Sequence, residues 1–281
     1  MDALVSTEWL SAQLGAPDLV VFDATKYLPN EGKDGAALFQ QRHIPGARFF
    51  DIDVVADQDT PLPHMAPAPG RFETLMRAMG VSNASRVVFY DQKGIASSAR
   101  GWWMMGLFGH DQAAVLDGGL PKWLAEGRST ESGAPPAPAP GGFLATYRAT
   151  RLRGIGDMMA PDPGRVVLDA RAAGRFEGAA PEPRAGMRSG HMPGSRSLPF
   201  TALLAPDGTM RPPATLRDIF AKAGADGSKP VVTSCGTGVT AAILTLGLHH
   251  AGLPVGSLYD GSWTEWAGRS DTVVETGKAA A

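Results

Sequence analysis

The chain has 281 residues, of which 43% are hydrophobic and one is cysteine, and its formal net charge at pH 7 is −2. This length predicts two domains with hydrophobic cores, and the near balance of charge argues against nucleic acid or an anionic membrane surface as a partner. A lone cysteine cannot form an internal disulfide, and no apolar run is long enough to span a bilayer, which together favour a cytoplasmic location.

In the first 130 residues, short apolar runs alternate with helical patterns. Apolar runs are followed by Asp23, Asp91 and Asp117, and residues 98–108 form the clearest helical pattern. Such an alternation predicts an α/β fold in which a mainly parallel sheet carries helices on both faces.

The composition changes sharply between residues 129 and 142. Residues 134–140 read Ala-Pro-Pro-Ala-Pro-Ala-Pro, a sequence that favours an extended and semi-rigid chain. We therefore assign residues 131–150 to an interdomain linker, which leaves a first domain at residues 1–130 and a second at residues 151–281.

The second half of the chain repeats the landmarks of the first half in the same order. The matching segments are residues 20–24 and 166–170, 43–46 and 191–194, 116–119 and 259–262, and the tryptophans Trp123 and Trp266. These pairs are 143 to 148 residues apart, and such a constant separation indicates an internal duplication. His43 and His191 each lie in a His-x-Pro-Gly turn, and we interpret both as structural.

The lone cysteine, Cys235, follows the apolar run of residues 231–234. A short glycine-containing loop and a helical pattern over residues 239–250 come next. Ligands bind at the carboxyl ends of parallel strands, where loop N–H groups and the positive end of a helix dipole favour a thiolate. We therefore predict a nucleophile, although free cysteines are more often small buried hydrophobes. The equivalent residue of the first half is Asp91, so we expect only the second copy to be catalytic.

The residues around Cys235 restrict the chemistry of its thiol. A cysteine-dependent phosphatase needs an arginine six residues after the cysteine, where this chain has Ala241. A papain-like protease needs a histidine base, but His249 and His250 lie far along the following helix. A thioredoxin-like site needs a second cysteine. The remaining interpretation is a thiolate that accepts sulfur and holds it as a persulfide.

Two long motifs carry a resemblance to a known family. Residues 39–47 read Phe-Gln-Gln-Arg-His-Ile-Pro-Gly-Ala, and residues 259–266 read Tyr-Asp-Gly-Ser-Trp-Thr-Glu-Trp. With these motifs the whole chain resembles the tandem-domain sulfurtransferases of the rhodanese superfamily. The uncharged residues 236–240 resemble the branch that uses 3-mercaptopyruvate. The resemblance implies two rhodanese-like domains, no cofactor or metal, and transfer of sulfur through Cys235 to a thiol, thioredoxin or cyanide.

The resemblance also implies which residues bind the donor and handle protons. Arg175 and Arg184 match the two arginines that hold the donor. The loop residues expected to complete its binding site are Gly236, Gly238, Val239 and Thr240. Asp53, His64 and Thr237 match a proposed proton relay, for which we expect Asp53 and His64 to lie on a loop at the domain interface.

Three points stay open at this stage. Spacing alone does not bring Asp53 and His64 to Cys235, and they have an alternative interpretation as a turn cap and an interface histidine. Arg171 and Arg188 lie near the donor arginines, and we interpret them as structural. A thiosulfate sulfurtransferase is the nearest alternative function, and a non-catalytic binding module is a more distant one.

Overall fold

The computed structural model describes residues 1–160 and 162–278. The elements of the first half are β1 Leu4–Val5, α1 Thr7–Gln13, β2 Leu19–Asp23, α2 Gly35–Gln41, β3 Arg48–Phe49, α3 Ile52–Val55, α4 Pro69–Ala78, β4 Arg86–Tyr90, α5 Ser98–Leu107, β5 Ala113–Leu116 and α6 Gly119–Ala125. Those of the second half are β6 Leu152–Arg153, α7 Ile155–Met159, β7 Val166–Asp169, α8 Ala173–Phe176, β8 Arg196–Ser197, α9 Pro213–Lys222, β9 Val231–Ser234, α10 Ala241–His250, β10 Ser257–Tyr259 and α11 Ser262–Gly268.

In the described residues, ten strands form two five-stranded sheets with the same strand order. The order is β1-β5-β4-β2-β3 in the first sheet and β6-β10-β9-β7-β8 in the second. Every neighbouring pair is parallel, and the central strands are buried along most of their length. The structure thus confirms the predicted α/β class with two parallel sheets. In the described residues, no helix is both long enough and apolar enough to cross a membrane.

Helices α5 and α10 pack against each other between the two sheets. All ten residues of α5 are buried, as are the first eight of α10. Helices that are apolar on every side are typical of a core position. Because α5 follows β4 and α10 follows β9, this packing brings the carboxyl ends of both central strands to the domain interface.

The predicted linker packs closely against the first half of the chain. The Gly141 N–H donates to the Arg77 carbonyl at 2.8 Å, and the Thr146 N–H donates to the Phe108 carbonyl at 2.8 Å. Phe143 is fully buried and contacts Phe72 edge to face. The proline-rich segment is thus followed by residues that belong to the core of the first sheet.

Each half extends one loop across the interface to the other. The first crossing loop, residues 57–65, is closed by a hydrogen bond from the Asp57 N–H to the Met65 carbonyl, and the second, residues 205–209, is closed in the same way. After the first, the N–H of Ala66 donates to Asp260 at 2.6 Å. After the second, the N–H of Met210 donates to Asp117 at 2.7 Å. Each half therefore contributes one loop to the other half, and the first crossing loop is four residues longer than the second.

Candidate active site

Cys235 directly follows β9 and is 2% exposed. Its N–H donates to Ser262 Oγ at 3.1 Å, and its carbonyl accepts from the Trp263 N–H at 2.9 Å. Ser262 has a φ of 49°, and within the described chain the only other non-glycine residue with a positive φ is His64. Such backbone conformations are costly and concentrate at functional sites. Both of these residues lie next to the cysteine or its loop.

The cysteine loop, residues 236–240, joins β9 to α10, which begins two residues later than the predicted helical pattern. Within residues 1–160 and 162–278, no protein group accepts a hydrogen bond from the N–H groups of Thr237, Thr240, Ala241 and Ala242. The equivalent N–H groups of the first domain, on Lys93, Ala96, Ser97 and Ser98, all donate to the Asp91 carboxylate at 2.8–2.9 Å. The cysteine loop therefore presents an anion-binding set of donors whose acceptor is not a protein group.

His64 connects Asp53 to Thr237 across the domain interface. Its Nδ1 lies 2.8 Å from Thr237 Oγ1, and its Nε2 lies 3.0 Å from Asp53 Oδ1. Burial lowers the pKa of His64 below its ordinary value, so the ring is neutral at pH 7. The partners assign the tautomer in which Nε2–H donates to Asp53 and Nδ1 accepts from the hydroxyl of Thr237.

Asp53 lies in α3, so the prediction that it occupies a loop is wrong. The side chain of Asp51 accepts from the N–H groups of Asp53 and Val54 and thereby starts this short helix. The hydrogen bond from His64 lowers the pKa of Asp53, and Lys26, which pairs with the same carboxylate, acts in the same direction. The carboxylate is therefore ionised at pH 7.

Arg100 of α5 is fully buried and connects the cysteine loop to the first crossing loop. Its Nη2 donates to Asp260 Oδ1 and to the His64 carbonyl, both at 2.6 Å, and its Nη1 lies 3.4 Å from the Gly238 carbonyl oxygen. Because Arg100 contacts both His64 and Gly238, it holds His64 in place relative to the cysteine loop. Loss of Asp260 would leave the buried charge of Arg100 uncompensated.

A cavity of about 460 Å³ lies above Cys235. Of the predicted site residues, those that line it are Cys235, Gly236, Thr237, Val239, Thr240, His64, Arg175 and Arg184. Gly238 is not among the lining residues: its φ is +77°, and a Cβ there would approach Arg100 Nη1 and the Asp260 carbonyl oxygen to 3.0 Å. Asp53 lines an adjoining cavity, and the residues that line both cavities are Lys26, Tyr27, Leu28, Pro29, His64 and Arg184.

The arginines near the cavity differ in their partners. Arg175 donates to Glu182 Oε2 from Nη2 at 2.5 Å and from Nε at 3.2 Å. Arg171 is buried between Asp169 and Glu182. Arg188 donates to four backbone carbonyls of residues 266–272. Arg171 and Arg188 are therefore occupied by protein partners, whereas Arg184 has no carboxylate within 4 Å among the described residues. No three His, Cys, Asp or Glu side chains in the described ranges are grouped as a metal site.

His43 and His191 occupy equivalent structural positions. In each, Nδ1 bonds the carbonyl of a phenylalanine whose ring stacks on the imidazole, Phe39 for His43 and Phe176 for His191. Both rings are buried and lie outside the cavity. Their packing accounts for the repeated His-x-Pro-Gly turns without a role in chemistry.

Four residues of this region were not predicted to have a role: Arg100, Asp260, Ser262 and Glu182. Asp260 and Ser262 lie in the motif of residues 259–266, so the sequence marks the segment without showing what each side chain contacts. Arg100 is the only charged residue in the helical pattern of residues 98–108. A lone charge in an apolar helix indicates a buried partner, but the identity of that partner requires the structure.

Comparisons with known proteins show which family model, sequences and structures this chain is similar to. A family model of the rhodanese-like domain matches residues 6–126 and 156–269. The 3-mercaptopyruvate sulfurtransferase of Homo sapiens is 41% identical over 98% of this chain and 96% of its own. The mitochondrial thiosulfate/3-mercaptopyruvate sulfurtransferase 1 of Arabidopsis thaliana is 40% identical over 98% of this chain and 78% of its own. The crystal structure of SseA, a 3-mercaptopyruvate sulfotransferase from Escherichia coli, superposes with a TM-score of 0.85 at 33% identity, covering 94% of this chain and 99% of its own.

Proposed function

This chain belongs to the family of rhodanese-like proteins, and we propose that it is an enzyme that transfers sulfur from 3-mercaptopyruvate to an acceptor. The resemblance inferred from the motifs is thereby confirmed for the family. The observation that carries the proposal is the conjunction at one cavity of a buried cysteine, a loop of N–H donors without a protein acceptor, and two arginines. Such donors stabilise a thiolate and, after reaction, a persulfide anion.

Arg184 and Arg175 would bind the two oxygen-bearing groups of the donor. A guanidinium offers planar, forked N–H donors that match a carboxylate. Arg184 has no carboxylate within 4 Å in the described part of the chain, and Arg175 keeps Nη1 free of protein partners there. The donor carboxylate therefore binds Arg184, and Arg175 holds the adjacent carbonyl oxygen over the cysteine loop.

The thiolate of Cys235 then attacks the sulfur of the bound donor. The carbon–sulfur bond breaks, its electron pair passes to carbon, and the enolate of pyruvate leaves while the cysteine carries an S–SH group. The proton of that group moves to the enolate carbon, with Thr237 and His64 as the route and Asp53 holding the ring. The products are pyruvate and a persulfide anion held by the loop N–H groups.

An acceptor removes the outer sulfur in a second step. A small thiol, thioredoxin or cyanide attacks that sulfur, the sulfur–sulfur bond breaks, and the thiolate of Cys235 is restored. A lone cysteine suits a reducing compartment, and on that ground we propose the cytoplasm. The relative from Arabidopsis thaliana carries both donors in its name, so thiosulfate is the second candidate donor.

Mass spectrometry of the protein incubated with 3-mercaptopyruvate tests the proposal. We expect one added sulfur on the peptide that contains Cys235, together with one equivalent of pyruvate, and neither in Cys235→Ser. Thiosulfate under the same conditions should load less sulfur at equal concentration. The proposal is wrong if pyruvate forms without sulfur on Cys235, or if only thiosulfate loads the cysteine.

A further inference from the structure

The cations around the donor cavity are almost all paired with carboxylates. Five cationic side chains line it: Lys26, Lys93, Arg171, Arg175 and Arg184. The ion pairs are Lys26 with Asp53, Lys93 with Glu31, Arg171 with Asp169, and Arg175 with Glu182. For Arg184 the described residues provide no carboxylate within 4 Å. The cationic side chains that line the cavity therefore carry one positive charge more than the carboxylates that pair with them.

Glu182 is the carboxylate that determines this balance at the cysteine. It lines the cavity itself, and its side chain is 5% exposed. One oxygen accepts from Arg171, which Asp169 already neutralises, and the other accepts twice from Arg175. Its charge therefore acts mainly on Arg175. The Nη2 of Arg175 in turn lies 3.2 Å from the point that a Cβ on Gly236 would occupy, and Arg175 is therefore next to the cysteine loop.

We propose that Glu182 is a specificity-determining residue, which makes the cavity select a donor with one negative charge over a donor with two. This inference rests on the proposed function. A single carboxylate matches the single uncompensated guanidinium of Arg184. A dianion such as thiosulfate brings a second negative charge toward the Glu182 carboxylate, where the described residues offer no second cation without a carboxylate partner. Because the Glu182 side chain is only 5% exposed, water screens that repulsion less than it would at the surface.

The charge of Glu182 can be removed with little change in shape. Glu182→Gln keeps a side-chain oxygen that accepts from Arg175 and leaves the guanidinium with its full positive charge. We expect kcat/KM for thiosulfate to rise relative to that for 3-mercaptopyruvate by about tenfold, chiefly through a lower KM for thiosulfate. Glu182→Asp keeps the charge and should keep the ratio within about threefold of the wild-type value, even where both rates fall.

A matched control is available in the first domain. Glu126 also binds two cations, Lys122 and Arg128, but lies outside the cavity. Glu126→Gln should leave the ratio of the two donors unchanged. An equal change of both donors in Glu182→Gln would contradict the proposal, because it would indicate a purely structural role for this carboxylate.

A measurement on the wild-type protein covers the case in which Glu182→Gln does not fold. Pyruvate and sulfate are a monoanion and a dianion that carry no transferable sulfur, and each can protect Cys235 from alkylation by iodoacetamide. Protection at lower concentration by pyruvate supports the proposal, and protection at lower concentration by sulfate overturns it. If the wild type loads no sulfur from 3-mercaptopyruvate, the proposed function fails as well. Normal loading with an unchanged ratio in a folded Glu182→Gln overturns this inference alone.

Discussion

The two domains have the same strand order but treat the end of their central strand in opposite ways. In the first domain the Asp91 carboxylate accepts from four backbone N–H groups of its own loop. In the second domain the equivalent residue is Cys235, and in the described chain its loop donors have no protein acceptor. The first loop is saturated by its own side chain, whereas the second is free to bind an anion. The same backbone donors thus bind the loop's own carboxylate in the first copy and, within the described residues, no protein group in the second.

The crossing loops differ in a corresponding way. His64 of the first loop and Gly208 of the second occupy equivalent positions, with φ values of 63° and 82°. His64 reaches Thr237 of the cysteine loop, whereas Gly208 presents only its backbone to Gly94 of the Asp91 loop. The cysteine loop therefore receives a titratable side chain from the opposite domain, whereas Gly208 brings only backbone atoms to the Asp91 loop.

The largest effect within this comparison should come from His64. His64→Gln removes the ring that accepts from Thr237, and we expect kcat to fall by about a hundredfold, the scale of a lost acid–base group. Gly208→Ala alters the equivalent position, where a Cβ meets nothing within 4 Å but the φ of +82° strains an alanine. It should lower stability and leave kcat unchanged. Steady-state kinetics with 3-mercaptopyruvate provide the measurement. Equal losses in both variants would show that the two crossing loops act only through packing.

The pH dependence of activity provides a second test of His64. Since burial lowers the pKa of His64, activity should fall as the pH drops below the ordinary histidine range, when Nδ1 gains a proton and no longer accepts from Thr237. The unfolded chain takes up this proton at higher pH than the folded one, so the contribution of His64 to stability is also lost as the pH falls. His64→Gln should lack the acidic limb of the kcat profile. If kcat of His64→Gln still falls at acidic pH, a group other than His64 causes that fall.

An intermediate effect is expected at the paired loop glycines. Gly238→Ala places a Cβ at φ +77° against Arg100 and the Asp260 carbonyl. Backbone strain of about 1–3 kcal/mol then falls on the cysteine loop, and we expect kcat to drop by about tenfold. Gly94→Ala, at φ +108° in the Asp91 loop, should cost comparable stability and leave kcat within about twofold. Chemical denaturation and kinetics on both variants separate the two outcomes; a kcat loss in Gly94→Ala would contradict the division of roles.

The smallest effect on activity should come from Asp91. Asp91→Asn exchanges one accepting oxygen for an N–H₂ group among backbone donors, and we expect the free energy of unfolding to fall by about 2 kcal/mol. Sulfur loading of Cys235 should be unchanged, because the saturated loop takes no part in it. Thermal or denaturant unfolding measures the first quantity and mass spectrometry the second. Loss of loading in a folded variant would show that the first domain's loop also supports the chemistry.

The sequence predicts the strands and the position of Cys235 because apolar runs and the residues that follow them are local properties. It also predicts the duplication, since the landmarks recur in order. It does not predict that Phe143 is buried after a proline-rich segment, because that burial depends on contact with Phe72. The helix that holds Asp53 has only four residues and no periodicity to detect. The contacts of Arg100 are equally hidden, because they join residues that are distant in the chain.

The exchange of crossing loops has a consequence for how the molecule is assembled. The hydrogen bond from Ala66 to Asp260 has an equivalent in the hydrogen bond from Met210 to Asp117. Reciprocal contacts of this kind are the mark of an isologous interface, in which the same patch of two subunits meets across a two-fold axis. The two halves of the chain thus contact each other as the subunits of a two-fold symmetric dimer do. Within one chain the two copies need not be identical, and here the first carries Asp91 where the second carries Cys235.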